Sequence, residues 1–155
     1  MAIFDAMFEF STASAGQDLS TNTATEAEAS TNVINWTQSD LEMGAGEPLW
    51  LNVRVGTAFS SSAAATLTVA LKRETDGTID TDSTTVWSTP ALALAALTAG
   101  AWIMRMPLPY NIDEDAYTGL LYTVGTHAMS AGTVYAWIDQ GPQSSHDTQV
   151  SASNI

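Results

Sequence analysis

An alternating pattern of apolar and polar residues runs through the segment 48–59. The apolar residues occupy every second position: Leu49, Leu51, Val53 and Val55. Those between them are Trp50, Asn52, Arg54 and Gly56. Successive side chains of a strand point to opposite faces of a sheet, so this pattern predicts a strand with one apolar face. Because the alternation is regular over this whole segment, we expect the strand to lie near the centre of a sheet.

Other short segments carry strand signals. They are 4–10, 31–36, 65–72, 84–88, 91–97, 102–106, 117–124 and 133–139. The alanines of 91–97 favour a helix, but the Leu-Ala alternation between Pro90 and Gly100 favours a strand. Short strands at regular spacing, separated by turn signals, are typical of a sandwich or barrel. The sequence therefore predicts an all-β fold of about eight strands, and an eight-stranded jelly roll is the architecture that suits that number.

The chain of 155 residues with 45% hydrophobic composition is long enough for one domain with one core. We expect a β-sandwich domain over 1–139. Its segment 11–30 is polar and predicted to be an arm-like loop that contributes little to the core. The segment 140–155 is polar without alternation and is predicted to be a C-terminal tail.

The formal net charge is −13, and the cations are Arg54, Lys72, Arg73 and Arg105. So few cations cannot neutralise a phosphate backbone, which excludes direct nucleic-acid binding. There is no cysteine, hence no disulfide or thiolate site. No apolar run has the roughly 20 residues that span a membrane, and no secretory signal precedes Phe10. We expect synthesis in the cytoplasm of a cell.

Residues that could carry chemistry are few. His127 and His146 have no second ligand at a metal-binding spacing. The acidic segment Asp76–Asp82 alternates oxygen ligands as a calcium loop does, but its order differs from that of an EF-hand, and a solvated turn is the preferred interpretation. The sequence thus predicts no catalytic, cofactor-binding or metal-binding residue. A cupin-type enzyme would need a histidine cluster.

Tryptophans stand out among the remaining residues: Trp36, Trp50, Trp87, Trp102 and Trp137. Trp50 and Trp137 fall on strand faces opposite the Leu and Val sets. Either both sheet faces are buried or one is an interaction surface, such as an oligomer interface. A sugar-stacking platform beside polar groups such as Asn52 is the alternative.

Several strand and turn sequences resemble those of a known family. In the first half of the chain these are Ser30-Thr31-Asn32-Val33-Ile34, Gly46-Glu47-Pro48-Leu49-Trp50-Leu51-Asn52-Val53 and Ala64-Ala65-Thr66-Leu67-Thr68-Val69-Ala70-Leu71. In the second half they are Leu97-Thr98-Ala99-Gly100, Pro107-Leu108-Pro109, Tyr122-Thr123-Val124-Gly125-Thr126 and Ser130-Ala131-Gly132-Thr133-Val134. Over about 30–139 the chain resembles the capsid cement (decoration) proteins of short-tailed bacteriophages of the Bordetella-phage type. It departs from them in the acidic segment 74–82, at Tyr117-Thr118-Gly119 and in a longer C-terminal tail.

The resemblance implies a jelly roll that binds the exterior of an icosahedral virion as an oligomer. The expected function is therefore a non-enzymatic structural one, in which the protein cements neighbouring subunits. The expected partners are the major capsid protein and further copies of the chain, as a dimer or trimer. An apolar strand at a chain end is a simple docking element, so we predict capsid contacts at Phe4, Phe8 and Phe10, together with Trp50. The alternative function is a carbohydrate-binding β-sandwich used in host recognition or adhesion.

Overall fold

The computed structural model describes residues 8–11, 15–37 and 48–140, with the side chain of Gln140 left out. These residues form eleven strands, and Leu94–Ala96 form a short 3-10 helix. The strands are β1 (Glu9–Ser11), β2 (Gln17–Asp18), β3 (Ala27–Ala29), β4 (Ile34–Asn35), β5 (Leu49–Val55), β6 (Thr66–Glu74), β7 (Thr84–Ser88), β8 (Leu92–Ala93), β9 (Trp102–Pro107), β10 (Tyr117–Gly125) and β11 (Thr133–Gln140). Within the described part of the chain, no helix is long and apolar enough to span a membrane.

Two antiparallel sheets form a β-sandwich. Sheet A has the order β1-β11-β5-β9, and sheet B has the order β3-β10-β6-β7. The two-residue strands β2, β4 and β8 extend this framework by pairing with β11, β10 and β6. Among the eight longer strands, the first pairs with the eighth and the second with the seventh, which is the strand order of a jelly roll. The predicted fold is confirmed.

The core lies between the sheets and is built from the predicted alternation. Leu51, Val53 and Val55 of β5 are at most 1% exposed. They face the apolar side chains of β6 and β10, which include Leu67, Leu71, Leu120 and Tyr122, all fully buried. Burying such side chains stabilises the folded state by roughly 25 cal/mol for each Å² of apolar surface that is removed from water. The period-two pattern therefore determines which side of each sheet becomes the core.

A second, smaller apolar cluster covers the other face of sheet B. Ile79, from the acidic segment between β6 and β7, packs with Ala70 and Leu121. Lys72 lies beneath the same loop at 5% exposure, and its Nζ donates to the carbonyl oxygens of Thr81 (3.1 Å) and Ser83 (2.9 Å). The segment predicted as an exposed turn is therefore anchored to the sheet by one apolar side chain and one buried lysine.

The prediction for 11–30 was wrong, because this segment is integrated into both sheets. It contains β2 and β3, and Leu19 is fully buried in the core. Gln17 is 7% exposed; its Nε2 donates to Glu28 Oε1 and to the carbonyl of Ala29, each at 2.8 Å. Polar composition suggested a loop, but these polar groups are paired with each other and with the backbone, which removes the cost of burying them.

Two other boundaries differ from expectation. In the segment 91–97 only Leu92 and Ala93 form a strand, and Leu94–Ala96 turn into a 3-10 helix. The helical tendency of alanine prevails there once pairing with β6 ends. Of the strand predicted at 31–36, only Ile34 and Asn35 pair with β10. The predicted tail lies outside the described residues except for Gln140, which ends β11.

Candidate interaction surface

The outward face of sheet A carries an unusual set of aromatic and cationic side chains. Cross-strand register places Tyr135, Arg54 and Trp102 in one row, and Glu9, Trp137, Asn52 and Arg105 in the next. A third row contains Asp139, Trp50 and Pro107. We call this surface the aromatic face and define it by Trp50, Asn52, Arg54, Trp102, Arg105, Tyr135 and Trp137. It lies opposite the core side chains of the same strands.

A β-bulge in β9 brings the centre of the aromatic face together. Trp102 and Arg105 are three positions apart, so in a regular strand they would point to opposite faces. The register shifts between Val53 and Arg54, which pair with Met104 and Trp102. Ile103 is the extra residue of the bulge. As a result, both guanidinium groups lie over the Trp102 ring, Arg105 at 4.6 Å and Arg54 at 5.7 Å from its centroid.

Burial varies sharply across the aromatic face. Asn52 is fully buried and Trp137 is 1% exposed, whereas Arg105 is exposed and Trp50 and Trp102 are half-buried. The Trp102 and Trp137 rings are tilted, with centroids 5.8 Å apart. Asn52 Nδ2 donates to the Trp50 carbonyl at 3.2 Å, and Asn52 Oδ1 has no hydrogen-bond partner. The inner part is thus rigidly packed, while Arg105 and the edges of two tryptophans remain accessible.

An open depression of about 530 Å³ borders the aromatic face. Its walls include Arg54, Tyr135 and the backbone of Gly56 and Gly100. Arg54 Nε donates to the Gly100 carbonyl at 3.1 Å, which fixes the guanidinium at the edge of the depression. The surface therefore combines ring faces, a positioned cation and a shallow recess.

The four cations of this acidic chain lie in three places. Lys72 is buried under the 75–83 loop, and Arg73 is paired with Glu114 and, at 2.9 Å, with Asp115. Arg54 and Arg105 lie together on the aromatic face. Tryptophan, tyrosine and arginine are the residues enriched at energetically dominant positions of protein interfaces. In these residue types the aromatic face resembles the centres of protein interfaces.

Comparison with known families identifies the chain. The model of the Bbp16 family matches residues 14–138, which is most of the length of the chain. The chain belongs to the Bbp16 family. This is a family of Bordetella phage proteins, so the predicted relationship is confirmed at that level. No curated protein matches the sequence.

In this Bbp16 family member, the residues predicted to contact a capsid are in different environments. Phe10 is fully buried in the core, so contact through it would require β1 to leave the sandwich. Phe8 is partly buried against the same core, and Trp50 lies half-buried on the aromatic face. Phe4 lies outside the described residues. Among the predicted contact residues that the structure describes, Trp50 and Phe8 therefore have accessible surface.

The acidic turn of this Bbp16 protein is organised by its own backbone. Asp76 Oδ1 accepts from the Thr78 amide at 2.9 Å, and Asp80 Oδ1 accepts from the amides of Asp82 and Ser83 at 2.8 and 3.1 Å. The Asp82 amide is the main cause that lowers the pKa of Asp80, followed by the Ser83 amide. Over 8–11, 15–37 and 48–140, no three His, Asp or Glu side chains are grouped as metal ligands. His127 is exposed, and His146 lies outside the described residues.

Sequence reasoning identified Trp50 and Trp137 but missed the grouping of Trp102 with both arginines. The reason is the bulge, which reverses the face that simple alternation assigns to Trp102. The tryptophans also differ in access. Trp36 is 9% exposed, with its Nε1 donating to Thr118 Oγ1 at 2.7 Å, whereas Trp87 on β7 is 38% exposed. Stacking against a sugar requires a ring that is exposed to solvent, as that of Trp87 is.

Proposed function

We propose that this protein is a structural virion protein that binds the outside of an icosahedral phage capsid and cements neighbouring subunits. Membership of a Bordetella phage protein family over 14–138 carries the proposal. In this role the protein is non-enzymatic, and its partners are the major capsid protein and other copies of itself. A protein that binds the assembled shell better than free subunits stabilises the shell by mass action.

The fold supports this role physically. A jelly roll closes most of its polar backbone into two sheets and leaves two broad outer faces. On sheet B, part of the outer face is covered by the loop that contains Ile79. On sheet A, the outer face carries the aromatic face. The two sheets therefore differ in what they offer to a partner, and sheet A offers the side chains that dominate protein interfaces.

We assign capsid docking to the aromatic face. Trp50 and Trp102 supply ring surface and Arg105 supplies a guanidinium group, and the Trp102 ring is already held between Arg105 and Trp137 before a partner binds. Pre-ordered side chains lose less entropy on binding. The formal charge of −13 keeps free copies soluble and draws them to shell regions that carry basic residues.

Co-sedimentation tests the proposal directly. The purified protein is mixed with parent-phage capsid shells that lack it, and with unassembled capsid subunits as the control. Saturable binding to shells, with little binding to free subunits, is the expected result, and the stoichiometry separates dimers from trimers. Shells that take up no protein at any concentration would contradict the proposal.

A further inference from the structure

Tyr110 is the most exposed large apolar side chain among the described residues. Its side chain is 96% exposed. The other exposed large apolar side chain in the described part of the chain is Trp87, at 38%. A single exposed aromatic side chain is common on protein surfaces and implies nothing by itself. Tyr110 differs from such cases because the backbone on both of its sides is held in place.

On the N-terminal side, the chain is fixed by Leu108. This residue is 7% exposed, and its amide donates to the Leu49 carbonyl at 2.7 Å. Pro107 and Pro109 flank it, and their rings restrict the backbone to a narrow range of φ. Tyr110 therefore follows directly from a short, stiff segment that continues the edge strand β9.

On the C-terminal side, the loop is fixed by Ile112 and Arg73. Ile112 is fully buried, and its carbonyl accepts from Thr118 Oγ1 at 3.0 Å. Arg73 Nη1 donates to the Asn111 carbonyl at 2.9 Å, and the same guanidinium pairs with Glu114 and Asp115. The loop 108–116 is thus ordered by folding itself, so binding through Tyr110 would not have to order the loop backbone.

The loop that carries Tyr110 is acidic. Asp113 and Glu114 are exposed three and four positions further along the loop. The hydrogen bond from Arg73, and next its charge, lower the pKa of Glu114 below its ordinary value. A partner that receives the phenol ring must therefore tolerate, or be attracted by, negative charge beside it. Basic side chains at the edge of an apolar pocket meet that requirement.

We propose that the loop 108–116 is a second capsid contact, in which Tyr110 inserts into an apolar pocket edged by Lys or Arg on a neighbouring shell subunit. The inference rests on the proposed function and extends it, since a cement must hold two subunits at once. The aromatic face holds one subunit, and the Tyr110 loop holds the next. A fully exposed ring on a pre-ordered loop is well suited to fill a preformed pocket.

Substitution of Tyr110 tests this contact. We expect Tyr110→Ser to weaken binding to shells about 30-fold, the size of an interface hot spot, while its melting temperature stays that of the wild type. Tyr110→Phe, which keeps the ring, should retain most of the affinity. If the wild type binds shells and Tyr110→Ser binds equally well, the inference is overturned and the proposed function stands. If the wild type itself does not bind shells, the proposed function fails.

A charge substitution tests the chemistry of the pocket. Asp113→Asn removes one exposed carboxylate beside Tyr110, and Asp18→Asn removes one near the start of β11, at the other end of the sandwich. We expect the first variant to bind shells more weakly at low salt, with a smaller decrease in affinity as salt is added, and the second to behave as the wild type. Equal salt dependence in Asp113→Asn and Asp18→Asn would overturn the assignment of a basic pocket.

Discussion

Tyr122 Oη lies 2.6 Å from Ser11 Oγ and joins the two sheets across the core. Tyr122 belongs to β10 of sheet B, and Ser11 belongs to β1 of sheet A. Ser11 Oγ donates to Gln17 Oε1 at 2.7 Å, so the tyrosine hydroxyl acts as the donor to Ser11. The Thr31 amide also donates to Gln17 Oε1, at 3.0 Å. One phenol group is thus connected to the segment that sequence alone suggested was a loose arm.

Tyr122→Phe is expected to destabilise the fold by about 1 kcal/mol, because it removes a buried hydrogen bond and leaves the Ser11 acceptor unpaired. Urea denaturation measures the change in the free energy of unfolding. Tyr117→Phe is the control, since Tyr117 Oη makes only a 3.5 Å contact with Asn35, and its effect should be below about 0.5 kcal/mol. Equal losses in both variants would show that the Ser11 contact contributes nothing.

Alkaline pH should lower the free energy of unfolding of the wild type through the same residue, Tyr122. Burial raises the pKa of Tyr122 above its usual value of 10.0. The folded state therefore keeps this proton when the unfolded state has begun to lose it. Stability from Tyr122 is fully present below pH 10 and is lost as pH rises above it, at up to about 1.4 kcal/mol per pH unit. Denaturation curves between pH 8 and 11.5 should show this fall in the wild type, and a shallower one in Tyr122→Phe.

Lys72→Met is expected to cost about 1–3 kcal/mol, because the carbonyls of Thr81 and Ser83 lose their donor under the 75–83 loop. Thermal unfolding measures the loss, and limited proteolysis in the loop should become faster. Arg105→Met is the matched control, an exposed cation whose cation–π contact with Trp102 is worth less than about 1 kcal/mol. A larger loss for Arg105→Met than for Lys72→Met would contradict this assignment.

Gly132→Ala is expected to destabilise the fold by at least about 2 kcal/mol. Gly132 has φ +143°, and a Cβ there would lie 2.1 Å from Phe59 Cδ1. Both the backbone strain and the clash with a buried ring act in the same direction. Gly125→Ala should cost less, because its closest contact is the movable side-chain oxygen of Thr66. Thermal unfolding of both variants provides the comparison.

Trp50→Ser is expected to weaken binding to capsid shells tenfold or more, because it removes ring surface from the aromatic face. Trp87→Ser, on β7 of sheet B, removes an equally large ring from the other sheet and should leave affinity unchanged. Co-sedimentation measures both, and circular dichroism verifies that each variant is folded. If only Trp87→Ser lost affinity, the docking surface would be on sheet B and the assignment to the aromatic face would be wrong.

The sequence predicted some segments of the fold correctly and others not. The strand Thr84–Ser88 was located to the residue, and the strands at 102, 117 and 133 begin where they were predicted. In these segments alternation and turn residues agree. The prediction for 11–30 was wrong because Gln17 and Ser30 are buried polar residues whose partners are not sequence neighbours. Gln17 Nε2 donates to Glu28 Oε1, 11 positions away, and Ser30 Oγ accepts from the Leu120 amide, 90 positions away. No local pattern reveals such a partner.

The candidate surface shows the same division. The sequence placed Trp50, Asn52 and Arg54 on one face of a strand, because alternation is a property of the backbone. Only the register between β5 and β9, with its bulge at Ile103, decided that Trp102 and Arg105 join them.

The sequence by itself determined an all-β sandwich with an apolar interior and a strongly negative net charge, because periodicity and charge are encoded residue by residue. The strand order of the jelly roll was decided by the pairing of distant strands. The tertiary structure decided which cations share a surface and which are buried, and that Tyr110 lies fully exposed on a fixed loop. Those outcomes depend on contacts between residues far apart in the chain, which are specified only when the two sheets pack together.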